Sequence, residues 1–228
     1  MKLPRFIVKS DQDLDKASFI EFFNAKSSLI SNYFPDIKSL DDIQSLIDDT
    51  YKNKIEGLTK TRDYIKSQIP YLEKVAIELS KIMERSWDGI EKITIIPAVC
   101  PISPRFIETN TFMVTYFYEK DTIFKICAHE MSHFLYFKKL KQIYPEEQID
   151  TEYPSKDWLL SEIITPLLIN DNAIQQYIGQ KDAISNPDND NILKVTKMSD
   201  KVSKLYIQRN NFSDFIKDSR NIITCVRL

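Results

Sequence analysis

The segment Asp121–Gln142 reads DTIFKICAHEMSHFLYFKKLKQ and contains the motif HExxH at His129, Glu130 and His133. Residues four positions apart on a helix lie one turn apart on nearly the same face, so both imidazoles can reach one ion. Apolar residues also recur at the spacing of one helix face: they are Ile123, Ile126, Cys127, Phe134 and Phe137. The segment therefore predicts a core helix that also carries a metal site.

The residue types of this motif are those of a hydrolytic zinc site. Neutral imidazole is a good zinc ligand, and three protein ligands leave a fourth position for water. Zinc lowers the pKa of such a water to about 7, and Glu130 is placed to take its proton. The chain has only two histidines, so their spacing around a glutamate is a rare chance event. The opposing interpretation is an ordinary helix whose histidines bind no metal.

Composition narrows the class of protein. The chain has 228 residues, of which 43% are hydrophobic and 28% charged, which fits one large globular domain or two small ones. A formal net charge of -2 lacks the basic surface that nucleic acids and anionic membranes select, so we expect neither partner. The three glycines are too few for a glycine-rich phosphate loop and favour a mainly helical protein.

No segment predicts export or membrane insertion. The N-terminal residues lack a long apolar stretch with a cleavage site, and no run of about 18 apolar residues occurs. Cys100, Cys127 and Cys225 are widely spaced without a CxxC pair, which suits reduced thiols. The expectation is a cytoplasmic protein.

The first third of the chain predicts helices. One is expected from a cap within Ser10–Asp13 to about Tyr33. Ser39 resembles the start of a capping box and opens a long helix whose apolar stripe continues to Ile65. Pro70 predicts the start of another helix. Residues 192–222 predict one or two more helices.

Strands are predicted just before the motif helix. Ile93–Ile96 and Thr109–Tyr118 are rich in β-branched and aromatic residues. Prolines between them mark a loop or a sheet edge: they are Pro97, Pro101 and Pro104. The predicted fold class is α+β, mainly helical, with a small mixed sheet packed on the motif helix. We divide the chain into an N-terminal helical region, residues 1–88, and a core with C-terminal helices, residues 89–228, which could also form one compact domain.

A third metal ligand is predicted after the motif helix. Ser155 is a suitable N-cap for the helix SKDWLLSEIITPLLIN, and Glu162 lies among its apolar residues. A carboxylate is costly to bury unless it is paired or bound to a metal. Glu162 is therefore the predicted third ligand.

His129, Glu130, His133 and Glu162 resemble the gluzincin metallopeptidases, in which HExxH on one helix is joined by a glutamate from a downstream helix. The resemblance covers about residues 90–180 and implies a zincin-like core that holds Zn²⁺. It also implies that the Thr109–Tyr118 strand is the edge strand lining the substrate. The implied function is a zinc-dependent peptidase for peptide or protein substrates.

Two parts of the gluzincin pattern are missing. Pro166 stands where many members have an aspartate that orients a ligand histidine, so Asp157 and Asp171 are considered for that role. Both histidines are used as ligands, so the donor to the transition state must be another residue. Tyrosine can serve, and the candidates are Tyr153, Tyr177 and Tyr206.

Several alternatives stay open. One is the protease half of a bacterial regulatory protein that cuts a repressor. Another is a zinc-binding but non-hydrolytic interaction or regulatory module. A third is a latent protease blocked by its own terminus, for example by a Cys225 thiolate in the fourth zinc position. The absence of a GAMEN-like motif favours an endopeptidase over an aminopeptidase, and the sequence predicts no oligomeric state.

Overall fold

The computed structural model describes residues 2–179 and 192–224. The strands are β1 (Arg5–Val8), β2 (Lys92–Ala98), β3 (Arg105–Phe106) and β4 (Thr111–Thr115). The helices are α1 (Gln12–Asn24), α2 (Ser28–Tyr33), α3 (Leu40–Asn53), α4 (Glu56–Ile82), α5 (Lys120–Ile143), α6 (Lys156–Ile169), α7 (Asn172–Ile178), α8 (Ile192–Gln208) and α9 (Phe212–Thr224). The prediction of a mainly helical α+β protein is confirmed.

The four strands form one mixed sheet in the order β1-β2-β4-β3, which confirms the predicted small mixed sheet. Strands β1 and β4 pair with β2 in parallel, whereas β3 pairs with β4 in antiparallel orientation. Strand β1 was not predicted, because four residues are too short to show a clear alternation. It forms by pairing with a strand more than eighty positions away.

Strand β4 corrects an expectation about the sheet edge. It is shorter than the predicted Thr109–Tyr118 strand, and it pairs with β2 on one side and β3 on the other. All five of its residues are buried, so both of its faces are covered. The predicted edge strand is therefore an inner strand, and the two-residue strand β3 lies outside it.

The first two predicted helices are each divided. The helix expected to reach Tyr33 ends at Asn24, because Lys26 adopts a left-handed backbone with φ of 56° and α2 begins only at Ser28. The long helix expected from Ser39 is also two helices, α3 and α4. Its predicted capping box is confirmed, since the Ser39 hydroxyl accepts from the Asp42 N–H and the Asp42 carboxylate accepts from the Ser39 N–H.

Pro70 does not begin a helix but lies inside α4. Proline in a helix interior removes one backbone hydrogen bond and costs about 3 kcal/mol. Ile65 and Leu72 on either side of it are both fully buried. Tertiary packing of this continuous apolar stripe outweighs the local penalty, since packing supplies most helix stability in proteins.

The chain divides into two compact units, each built from separate segments. The sheet unit comprises Pro4–Leu72 and Gly89–Glu130, and the helical unit comprises residues 2–3, Glu73–Asp88 and the described residues from Met131 onward. Helices α4 and α5 contribute residues to both. The predicted boundary between residues 88 and 89 stays a prediction, because compactness does not show which segments fold independently.

A buried carboxylate links several elements of the sheet unit. Asp15 on α1 accepts the N–H groups of Val99 and Cys100, at 2.7 and 2.9 Å, and the hydroxyl of Tyr51 at 3.0 Å. Burial outweighs these three hydrogen bonds and raises the pKa of Asp15 to about 6. The carboxylate thereby fixes the backbone just after β2 against α1 and α3.

The helical unit has its own buried core. Nearly every residue of α6 is buried, which explains its continuously apolar sequence. The Trp87 indole N–H donates to the Ala76 carbonyl at 2.9 Å, and Arg220 donates to Asp157 at 3.0 Å. Among the described residues, no helix combines the length and apolar character that a membrane span requires.

Candidate metal centre

Helix α5 positions the HExxH motif. It runs from Lys120 to Ile143 without a glycine or proline, and its predicted apolar stripe is buried except at the half-buried Ile126. On this helix His133 is fully buried, Glu130 is nearly so and His129 is partly exposed. The motif therefore extends from fully buried residues to a partly exposed one.

Helix α6 supplies the carboxylate. It begins as predicted, because the Ser155 hydroxyl accepts the Trp158 N–H at 3.0 Å and so caps the helix. Glu162, two turns later, is buried among apolar neighbours. The burial that the sequence predicted for this carboxylate is present in the structure.

The three predicted ligand residues form one group. Ligand atoms of His129, His133 and Glu162 all lie within 4.8 Å of one another. The Nε2 atom of His133 is 3.7 Å from a carboxylate oxygen of Glu162. Two ligand atoms on a tetrahedral zinc lie about 3.4 Å apart, given bonds of about 2.1 Å. The group could hold a metal ion after small side-chain movements.

The donor set fits a divalent ion that accepts nitrogen and oxygen ligands. Two neutral imidazoles and one carboxylate would cancel only one of two positive charges on such an ion. Zinc accepts this donor set, and other transition metals bind imidazole as well. The residues present therefore fit the predicted Zn²⁺, and they fit other divalent transition metals as well.

The other side of the His133 ring contacts the hydroxyl group of Thr165. Its Nδ1 atom is 3.4 Å from the Thr165 Oγ1 atom, and the Ser132 hydroxyl donates to the same oxygen at 3.0 Å. Ser132, His133 and Thr165 are all fully buried. Thr165 lies three positions after Glu162, on the same face of α6.

The predicted aspartates make other contacts. Asp157 pairs with Arg220, while Asp171 caps α7 through the Ala173 N–H and accepts the Tyr206 hydroxyl. The contact at His133 comes from Thr165, which was not predicted because the family pattern has a charged residue in this role. The available signal was the three-residue spacing from Glu162.

No protein-family model matches this chain, and no curated protein or solved structure is significantly similar to it. The support for any function therefore comes from the geometry of the site itself.

Arg105 on β3 contacts the glutamate of the motif. Its Nη1 atom is 3.6 Å from the Glu130 Oε2 atom, and the two side chains are only 11% and 10% exposed. Sequence reasoning treated this proline-rich segment as a loop or an edge and did not single out its arginine. The structure thus places a guanidinium beside the predicted general base.

The three candidate tyrosines have contacts outside the ligand group. Tyr153 is 58% exposed and packs edge-on against Trp158. The ring of Tyr177 lies under the Lys74 ammonium, and the Tyr206 hydroxyl donates to Asp171 at 2.9 Å. Their role as a transition-state donor stays a prediction. Cys225, considered as a latent fourth ligand, lies outside the described residues.

Proposed function

We propose that this protein is a zinc-dependent peptidase of the gluzincin type, with a zincin-like core, acting on peptide or protein substrates. The observation that carries the proposal is the group formed by His129, His133 and Glu162, with Glu130 directly after the first ligand. A glutamate in that position of HExxH is the general base of zinc metalloproteases.

Each residue has a defined task in this proposal. His129, His133 and Glu162 would hold the ion. Zinc, when bound, lowers the pKa of an attacking water to about 7 and polarises the scissile carbonyl. Glu130 takes a proton from the water and passes it to the leaving amine. Arg105 holds one carboxylate oxygen of Glu130 through their ion pair.

The short strand β3 extends the proposal to the substrate. It lies outside β4, and its Arg105 side chain reaches Glu130. An extended peptide that adds to a sheet edge gains backbone hydrogen bonds without any demand on its sequence. β3 is therefore the strand that we propose lines the substrate, in place of β4.

Two variants separate the two functions of the site. Glu130→Gln keeps the shape of the side chain but cannot accept a proton, so it should retain metal and lose hydrolysis by at least about 100-fold. Glu162→Ala removes a ligand and should lose metal. Metal content is measured on protein purified without added zinc, and hydrolysis is measured on a peptide library.

Each outcome has a distinct meaning. Full zinc occupancy in Glu162→Ala would contradict the ligand assignment. Equal hydrolysis by wild type and Glu130→Gln would contradict the mechanism. A wild-type protein that holds zinc but cleaves no peptide before or after limited proteolysis would favour the non-hydrolytic module. Cleavage that begins only after limited proteolysis would favour the latent protease.

A further inference from the structure

The buried hydroxyl of Thr165 contacts the side of His133 that faces away from Glu162, and the Ser132 hydroxyl donates to Thr165. The His133 Nε2 atom lies 3.7 Å from Glu162, whereas its Nδ1 atom lies 3.4 Å from the Thr165 hydroxyl oxygen. A neutral imidazole can offer a lone pair to a metal at only one nitrogen, and the proton must then be on the other. The position of Thr165 therefore influences which of the two ring nitrogens carries the proton.

The Thr165 oxygen is suited to accept a hydrogen bond from the imidazole N–H. The Ser132 hydroxyl already donates to its oxygen at 3.0 Å, which leaves one lone pair for a second donor. A threonine in a helix commonly directs its own hydroxyl proton to a backbone carbonyl one turn back. A Thr165 hydroxyl oriented in this way would accept from both the Ser132 hydroxyl and the His133 Nδ1–H.

We propose that Thr165, supported by Ser132, is a positioning residue that holds His133 in the Nδ1–H tautomer, so that Nε2 carries no proton and can bind the metal. This inference rests on the metal site proposed above but not on peptidase activity. A neutral hydroxyl thus takes the role for which the sequence suggested an aspartate. Pro166, where such an aspartate was expected, directly follows Thr165 in the chain.

A hydroxyl at 3.4 Å is a weaker partner than a carboxylate at hydrogen-bond distance, because charged acceptors form shorter and stronger bonds. Partners of ligand histidines typically change metal affinity by about 10- to 100-fold when removed. We therefore expect an effect near the lower end of that range.

The first test measures zinc affinity by competition with a chelating dye. Thr165→Val keeps the shape of the side chain but removes the acceptor, and should weaken zinc binding about tenfold. Thr165→Ser restores the hydroxyl and should bind zinc within about twofold of wild type. Thermal unfolding of the metal-free proteins provides the control, because a purely structural role would lower the melting temperature of Thr165→Val and leave its zinc affinity unchanged.

The second test reads the tautomer directly. Because the chain has only two histidines, its imidazole ¹⁵N spectrum contains two ring systems, and His129 serves as an internal reference. Zinc-loaded wild type should show His133 bound through Nε2 with its proton on Nδ1, and Thr165→Val should lose the protection of that proton from exchange with water. If Thr165→Val does not fold, the wild-type spectrum and the milder Ser132→Ala variant still test whether the two hydroxyls set the His133 tautomer.

The results separate this inference from the proposed metal site. A wild-type protein that binds no zinc would remove the metal site itself. Zinc binding by wild type together with equal affinity in a folded Thr165→Val would overturn the positioning role alone. A His133 that is bound through Nδ1 and carries its proton on Nε2 in the zinc-loaded wild type would also overturn it.

Discussion

The ion pair between Arg105 and Glu130 predicts that an arginine outside the motif controls the rate of hydrolysis. At 3.6 Å two unit charges attract by about 5 kcal/mol at an effective dielectric constant of 20. Both side chains are nearly buried, and the cost of removing them from water offsets a large part of this attraction. Couplings measured between close charge pairs begin at about 1.5 kcal/mol, so we take about 1.5 to 3 kcal/mol as the net coupling.

Arg105→Gln removes this coupling while keeping a polar side chain of similar reach. Glu130 would lose the contact that fixes one of its oxygens, and a displaced general base lowers the rate of proton transfer. We expect kcat to fall about 10- to 100-fold, since about 1.4 kcal/mol corresponds to tenfold. KM should change by less than about threefold.

The assay compares steady-state kinetics on a peptide cleaved by wild type with the zinc content of the same samples. Arg105 is not among the three ligand residues, so zinc content should stay at the wild-type level. Arg62→Gln is the matched control, because Arg62 belongs to the same unit and pairs with the exposed Asp63. An unchanged kcat, or a kcat loss that only follows a loss of zinc, would refute the reasoning.

Two further predictions concern stability. Folding raises the pKa of Asp15 from 3.8 to about 6. The protonated carboxyl therefore contributes its full share to the free energy of unfolding below about pH 4, and this share is lost as pH rises through 6. The free energy of unfolding of the wild type should fall by about 3 kcal/mol between pH 4 and 7, and Asp15→Asn should remove this fall, as measured by urea titration at each pH. The same pH dependence in Asp15→Asn as in the wild type would contradict this. Gly57→Ala places a Cβ atom 2.7 Å from the Tyr116 ring, and should destabilise by about 1 kcal/mol despite the better helix propensity of alanine. In a Tyr116→Ala background the same change should stabilise, and a loss of stability there would disprove the clash.

The sequence predicted the parts of the site whose signals are local. Helix α5 has an apolar stripe and lacks helix breakers, and α6 has a hydroxyl cap followed by an apolar run. These features act within a few turns of the chain, so the helices that carry His133 and Glu162 follow from them. The capping box at Ser39 is predictable for the same reason.

The sequence predictions of secondary structure are wrong or incomplete where contacts between distant parts of the chain determine it. Pro70 is a good local signal for a helix start, but the buried stripe on both sides of it keeps α4 continuous. Strand β1 exists because it pairs with β2, and β3 because it pairs with β4. Such short strands have too few residues to show a period, so pairing partners far along the chain determine them.

The same distinction explains the missed site residues. Arg105 reaches Glu130 only after β3 has paired with β4, and no local pattern predicts this pairing. Thr165 was within reach of a sequence argument, because it lies one helical turn after Glu162. A pattern that requires an aspartate beside the ligand histidine does not select Thr165, although an acceptor of any charge can fix the tautomer.

The charges around the motif give a physical reason for a neutral partner, Thr165, beside His133. Around the motif, the carboxylates of Glu130 and Glu162 and the guanidinium of Arg105 leave one net negative charge when both imidazoles are neutral. A divalent ion would then leave one net positive charge, which favours an electron-rich carbonyl or water at the open position. In this proposal a hydroxyl orients His133 without adding a charge, so the site with a bound ion would keep its net positive charge.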